Sequence, residues 1–176
     1  MRSLCQPTWR KTQNVIKLDL VRIFIRRTKE VLLMIRLVDI DESNWRTRLS
    51  VRDDQKQFVA NATVLLARAY AYRNFNCRAF YVCNDDTYVG MGLYYDCPDI
   101  SAYDMSQLFI DERFQGRGYG KAAMQLCLEE MRSAARFDKV ALCYVQGAET
   151  ARCMYEKLGF VEMDRDGDEI IMEKKL

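Results

Sequence analysis

Hydrophobic and polar residues alternate across residues 34–40, which predicts a β-strand at the start of the folded region. Asp41 follows as a candidate N-cap of a helix through Trp45 and Leu49. Asp53 or Asp54 is a candidate cap for a second helix, whose apolar residues recur at broadly helical spacing at Phe58, Val64, Leu65, Ala69 and Tyr72. The pattern therefore predicts one strand followed by two helices.

The rest of the chain alternates predicted strands with predicted helices. Two strands joined by the turn at residues 84–86 form a hairpin, and a second turn at residues 166–167 joins the last two strands. The predicted strands are 78–83, 87–95, 102–110, 140–145, a segment near Phe160 and 169–173, and the predicted helices are 118–135 and 150–158. This order of elements predicts an α/β fold with a mixed sheet.

Residues 1–33 differ in charge from the rest of the chain. They carry eight Arg or Lys against two acidic residues, a net charge of +6, whereas residues 34–176 carry −4. Three hypotheses remain open: an extra packed element, a basic targeting or membrane-surface helix, or an upstream stretch translated because the start codon is placed too early. If Lys29, Glu30 and Val31 are encoded AAG-GAG-GTN, the third hypothesis is favoured, with a native domain at 34–176.

Composition narrows the class of protein. The 176 residues are 49% hydrophobic and contain no run of 18 apolar residues, which predicts one globular domain without a membrane span or stable membrane association. The mildly acidic body argues against nucleic acid as a partner.

The residue types limit the available chemistry. With no histidine, the usual zinc site and every histidine-activated nucleophile are excluded, and no metal site is predicted. Seven cysteines without a CxxC pair predict reduced thiols in a cytoplasmic protein. Cys127, Cys143 and Cys153 occupy apolar positions, where buried packing is expected.

The segment 108–121, LFIDERFQGRGYGK, carries the strongest chemical signal. A strand runs into a glycine-rich turn that opens a helix, an arrangement whose backbone N–H groups can bind a phosphate. A P-loop is excluded because Gln115 occupies its first glycine position and Ala122 follows Lys121. A dinucleotide-binding fold is excluded because too little chain follows the turn.

Two motifs in order resemble those of the GNAT family of N-acetyltransferases. Residues 115–120, QGRGYG, are similar to its motif A, and residues 151–160, ARCMYEKLGF, to its motif B. The resemblance covers residues 34–176. It implies the GNAT fold, with a central mixed and mostly antiparallel sheet of six to seven strands flanked by helices.

The resemblance also implies acetyl-CoA as co-substrate. Backbone amides of residues 115–121 would hold its pyrophosphate, main-chain groups of residues 108–110 its pantetheine arm, and Tyr155 would protonate the leaving thiolate. The residues so assigned are Leu108, Phe109, Ile110, Gln115, Gly116, Arg117, Gly118, Tyr119, Gly120 and Lys121. One departure is Ala148, where the family often has Asn, so that a contact to the cofactor arm is missing or is supplied by Glu149 or Thr150.

The acceptor is expected to be a small cationic amine. The segment 94–104 combines three tyrosines with three aspartates, a mixture that suits ion pairing and cation–π contact. The candidate acceptor-binding residues are Tyr94, Asp96, Asp99 and Tyr103, with Asp104 as general base through water.

The run from Tyr94 through the glycine-rich turn at residues 115–120 looks most like the bacterial spermine/spermidine acetyltransferases, which predicts a polyamine acceptor. An aminoglycoside, an amino acid or a protein N-terminus is the alternative acceptor, and a non-catalytic acyl-CoA sensor is the alternative class. A homodimer is a possible assembly.

Overall fold

The computed structural model describes residues 35–176. The hypotheses about residues 1–33 lie outside this range. One seven-stranded sheet has the order β1-β2-β3-β4-β5-β7-β6, with three helices flanking it. The strands are β1 Ile35–Asp39, β2 Arg78–Asn84, β3 Thr87–Cys97, β4 Ala102–Ile110, β5 Lys139–Val145, β6 Val161–Asp166 and β7 Glu169–Lys175, and the helices are α1 Ala62–Ala71, α2 Tyr119–Ala134 and α3 Glu149–Lys157.

The predicted α/β class and mixed sheet are confirmed. Six strand pairings build the sheet in residues 35–176. Five of them are antiparallel, and the pairing of β4 with β5 is parallel. The larger hydrophobic core lies between the sheet and α2, where the buried residues of α2 repeat at helical spacing. A smaller core lies on the opposite face, against α1. No helix among residues 35–176 is long and apolar enough to cross a membrane.

The prediction of a helix starting at Asp41 was wrong. The Asp41 carboxylate accepts hydrogen bonds from the N–H and hydroxyl of Ser43, at 2.8 and 2.6 Å, and the Asn44 side chain donates to the Asp39 carbonyl. These local bonds close a turn that competes with the helix, and residues 42–46 are turn.

The second predicted helix begins later than expected. Asp53 opens only a single 3₁₀ turn, Asp53–Gln55. The cap of α1 is Asn61, whose side chain accepts a hydrogen bond from the Val64 N–H at 3.0 Å. The chain between them, residues 56–60, is therefore left as a loop beside the sheet.

A fork in the centre of the sheet has the largest consequence for function. β4 and β5 pair only at Tyr103 with Val140 and at Asp104 with Ala141, although both strands continue beyond these residues. A β-bulge lies at the same place, because β4 uses three residue steps from Asp104 to Gln107 where β3 uses two. The two strands therefore separate beyond Asp104 and leave backbone groups without a neighbouring strand.

Candidate active site

A cavity of about 670 Å³ lies in the fork between β4 and β5. Its walls are the second half of β4, the end of β5, the loop before α1, and the first turns of α2 and α3. The cavity thus lies where two strands separate and two helices begin, a frequent location of ligand sites in α/β proteins.

The turn before α2 is shaped by two glycines with positive φ. Gly116 has φ +75° and Gly118 φ +87°, values that side chains other than glycine rarely adopt. Within residues 35–176, the amides of residues 116–121 donate no hydrogen bond, since the first bond of α2 runs from Ala122 N to Gly118 O. Unpartnered N–H groups at the positive end of a 16-residue helix can attract an anion.

The predicted co-substrate residues divide into two groups. Seven of them line the cavity: Leu108, Phe109, Ile110, Gln115, Gly116, Tyr119 and Gly120. Arg117, Gly118 and Lys121 lie beside it, with Arg117 exposed and its guanidinium 5.6 Å from the Phe114 ring.

The Gln115 side chain stabilises the turn. Its Nε2 donates to the Ile110 carbonyl at 2.9 Å and to Gln55 Oε1 at 2.8 Å. These bonds tie the end of β4 to the loop that precedes α1. The side chain of Gln115 therefore helps to hold the cavity wall together, a role that the sequence does not indicate.

Tyr155 reaches the same cavity from α3. Its ring is buried against Phe160 and Tyr144, and its hydroxyl donates no hydrogen bond within the described residues. Burial raises the pKa of Tyr155 to about 12, so the phenol stays protonated at neutral pH. The site therefore combines an anion-binding helix end with an uncommitted hydroxyl donor.

Ala148 is the N-cap residue of α3 and gives no side-chain cap. Glu149 does not substitute for the missing cap, because its carboxylate pairs with Arg152 at 2.8 Å. The first turn of α3 thus presents backbone groups to the cavity without a capping side chain.

Of the three cysteines expected to be buried, only Cys127 is. Cys143 is exposed and lines the cavity, and Cys153 is half-buried. Desolvation, together with the charges of Glu169 and Asp104, raises the pKa of the Cys143 thiol to about 11. A thiol with that pKa is protonated at neutral pH, which argues against a cysteine nucleophile.

Asp104 lies at the fork, one residue before the cavity wall. Its Oδ2 accepts a hydrogen bond from the Tyr95 hydroxyl at 2.7 Å. Burial raises the pKa of Asp104, and the effect exceeds the opposing contributions of Tyr95 and Arg68. A carboxyl with a raised pKa suits a proton acceptor, but Asp104 does not line the cavity itself.

We expect Asp104→Asn to increase the free energy of unfolding at pH 7.5. The raised pKa means that the ionised carboxylate costs stability at every pH above the folded-state pKa, whereas an amide avoids this cost and still accepts the Tyr95 bond. The gain should shrink as the pH falls through the folded-state pKa towards 3.8, because the wild-type carboxyl then becomes neutral too. Urea unfolding at several pH values measures it, and a gain independent of pH would contradict this explanation.

The predicted acceptor residues do not meet at the cavity. Tyr94 and Tyr103 are buried on the α2 side, where their hydroxyls donate to Glu130 at 3.0 Å and to the Met131 carbonyl at 2.9 Å. Asp96 is buried in a bidentate ion pair with Arg136, at 2.7 and 3.0 Å. Asp99 is exposed in the 3₁₀ turn Pro98–Ile100.

The position of the segment 94–104 explains why these four residues do not line the cavity. The turn joins the end of β3 to the start of β4, whereas the cavity opens towards the other end of β4. Tyr94, Asp96 and Tyr103 are therefore buried away from the cavity, and Asp99 lies in the exposed turn. Acceptor binding by Tyr94, Asp96 and Tyr103 has no support in this geometry.

Asp96→Asn should reduce stability but leave acceptor kinetics unchanged. Losing the charge weakens two bonds from Arg136 and one from Asn76, and Arg136 is partly exposed, so we expect a loss of about 1–2 kcal/mol. Urea unfolding gives the stability, and kcat/KM for the acceptor should stay within about twofold. A selective rise of the acceptor KM would instead return Asp96 to the binding site.

Sequence reasoning missed the polar residues on the α1 side of the cavity. Arg68 on α1 donates to the Ser106 hydroxyl at 2.9 Å, and Glu169 at the start of β7 lines the same cavity. Arg68 looks like one more polar residue on an amphipathic helix. Its place at the cavity becomes visible only in the fold, where α1 packs next to the bulge in β4.

Comparison with known proteins places these features in context. The model of a family described as "Acetyltransferase (GNAT) family" matches residues 36–160. Among curated proteins, no sequence match is found.

Solved structures share the fold at low identity. Spermidine N-acetyltransferase from Vibrio cholerae in complex with CoA and spermine is 17% identical, with a TM-score of 0.65 over 81% of this chain and 95% of that one. The PaiA N-acetyltransferase from Thermoplasma acidophilum in complex with coenzyme A is 19% identical, with a TM-score of 0.54 over 64% and 68%. A GNAT acetyltransferase from Elizabethkingia anophelis with acetyl-CoA bound is 12% identical, with a TM-score of 0.61 over 81% and 99%.

Proposed function

Because the chain belongs to the acetyltransferase (GNAT) family, we propose that it transfers an acetyl group from acetyl-CoA to a small primary amine. One observation carries the proposal: the unpartnered amides before and in the first turn of α2 and the uncommitted Tyr155 hydroxyl face one cavity in the fork. The first can hold a pyrophosphate, and the second can donate to a leaving sulfur.

The reaction makes three demands on the site. The amine must lose a proton, the thioester carbonyl must be polarised, and the thiolate must be protonated. The amine attacks the acetyl carbon, the carbon–sulfur bond breaks, and the proton lost by the nitrogen balances the one gained by the sulfur. No metal or oxidant is required.

Residues of this chain match each demand. Residues 108–110 pair with β3 on one side and have no partner strand on the side of the fork, so that an N–H on that side can donate to the carbonyl oxygen. Tyr155, protonated at neutral pH, supplies the donor for sulfur. Asp104, acting through water, is the proposed acceptor of the amine proton.

A polyamine such as spermidine or spermine is one candidate acceptor. The Vibrio cholerae structure, solved with CoA and spermine, supports this hypothesis through its similar fold. Within the cavity, Glu169 offers a carboxylate for a cationic nitrogen. The tyrosines and Asp96 that led to the hypothesis from sequence no longer support it.

Mass spectrometry of reaction mixtures tests the proposal. Acetyl-CoA would be incubated with spermidine, spermine, diamines, aminoglycosides, amino acids and a peptide with a free N-terminus, and each acceptor would be examined for a gain of one acetyl group. Product from any of them supports the enzyme. Binding of acetyl-CoA in calorimetry without product from the entire panel would favour a sensor and overturn the proposed transfer to small amines.

A further inference from the structure

We propose that the acceptor amine carries a carboxylate, as a free amino acid does, and that Arg68 binds this carboxylate. The inference rests on the proposed acetyl transfer and specifies its substrate class. It starts from the charges that line the cavity, since an acceptor must complement those that remain uncompensated.

Arg68 is held in the cavity wall by a weak partner. It lies in the last turn of α1, is half-buried, and its Nη1 donates to the Ser106 hydroxyl at 2.9 Å. Within residues 35–176, Arg68 forms no ion pair. A guanidinium has five N–H donors, so most of its capacity to bind a planar anion remains unused.

The other charged residues of the cavity wall differ in whether they have an ion-pair partner. Arg52 makes two bonds with Asp54, both at 3.2 Å, and Glu149 pairs with Arg152. Glu169 forms no ion pair with a described residue, and its charge acts on Cys143. Among residues 35–176, the wall therefore presents one cation without an ion-pair partner, Arg68, and one anion without one, Glu169.

Both charges act on the thiol of Cys143, which lines the same cavity. Glu169, Asp104 and Arg68 all influence the pKa of its thiol, the two carboxylates raising it and the guanidinium lowering it. Asp104 is already bonded to Tyr95 and does not line the cavity, whereas Arg68 on α1 and Glu169 on β7 both line it. Arg68 and Glu169 thus line the same cavity with opposite charges, and both act on Cys143.

This arrangement fits an amine that bears a carboxylate better than it fits a polyamine. The ammonium group of an arriving amino acid complements Glu169, and its carboxylate can accept two parallel bonds from the Arg68 guanidinium. A polyamine would instead place a second cation near Arg68, where like charges repel.

Matched acceptors test the inference directly. Ornithine and putrescine differ only by the carboxylate, as do lysine and cadaverine, and each other amino acid can be compared with its own carboxamide. We expect kcat/KM to be about 10- to 100-fold higher for the carboxylate member of the preferred pair. A preference for putrescine, cadaverine or spermidine would overturn the inference while leaving acetyl transfer established.

Two variants assign the effect to Arg68. Arg68→Gln should lower kcat/KM for the carboxylate member about 10- to 100-fold, mainly through KM, and leave the matched amine within about threefold. Arg73→Gln is the control, because Arg73 is exposed and its Nη1 donates to the Tyr70 carbonyl. If kcat/KM fell equally for both members of a pair, with unfolding curves like those of the wild type, Arg68 would not bind the carboxylate.

The same assays separate the two levels of failure. If no amine in any pair is acetylated, the proposed function fails, and the acceptor inference with it. If amines are acetylated without regard to their carboxylate, only the inference about Arg68 fails.

Discussion

Replacing Tyr155 with phenylalanine is expected to lower kcat by at least about 100-fold while leaving the affinity for acetyl-CoA within about twofold. The hydroxyl faces the cavity and donates no bond to a described residue, so its loss removes a donor for the leaving sulfur. Steady-state kinetics with the preferred acceptor and calorimetry with CoA measure the two quantities. Stability should not fall, because no protein partner of the hydroxyl is left unsatisfied.

Tyr94→Phe provides the matched control for Tyr155. This change also removes the hydroxyl of a buried tyrosine in the same core. The Tyr94 hydroxyl, however, donates to Glu130, and Tyr94 does not line the cavity. We expect a modest loss of stability and a kcat within about twofold of wild type. A Tyr155→Phe enzyme with nearly full kcat would mean that water or another group protonates the thiolate.

Gly118→Val should weaken CoA binding by about 10- to 100-fold. No atom lies within 4 Å of a Cβ at this position, so the effect would come from the backbone, which a β-branched residue cannot hold at φ +87°. The backbone would relax and misdirect the amides at the start of α2. We also expect a loss of about 1–3 kcal/mol in the free energy of unfolding.

Gly167→Val separates strain from binding. Gly167 has φ +61°, and a Cβ there would also meet nothing within 4 Å, but it lies in the turn between β6 and β7. Its stability loss should resemble that of Gly118→Val, with CoA affinity unchanged in calorimetry. Acetyl-pantetheine, which lacks the pyrophosphate, should be affected less by Gly118→Val than acetyl-CoA, and an equal effect on both would argue against a pyrophosphate site at this turn.

The parts of the fold that depend on local sequence were predictable. The apolar content of β4, the hairpin between β2 and β3, and the helical spacing of α2 indicate a mixed sheet, and the glycines at 116 and 118 indicate the tight turn before α2. The first helix was mispredicted because the Asp41 side chain satisfies the amide groups of a turn as readily as those of a helix. Both structures begin with the same residue types.

The acceptor side could not be read from the sequence. The fork depends on where β5 stops pairing with β4, a contact between residues about 37 positions apart. The bulge that brings Ser106 towards Arg68 is visible only in the register between β3 and β4. The segment 94–104 appeared suited to an amine by composition, but its carboxylate at Asp96 and its phenols at Tyr94 and Tyr103 already have partners in the core.

The fork also bears on self-association. A separated pair of strands creates two edges inside the molecule, and unpaired edges are templates on which another chain can add a strand. The outer strand β6 is also an edge, and it carries exposed charges at Glu162, Asp164, Arg165 and Asp166 beside the exposed Val161 and Met163. The inner edges of β4 and β5 are instead bordered by the starts of α2 and α3, which line the same cavity.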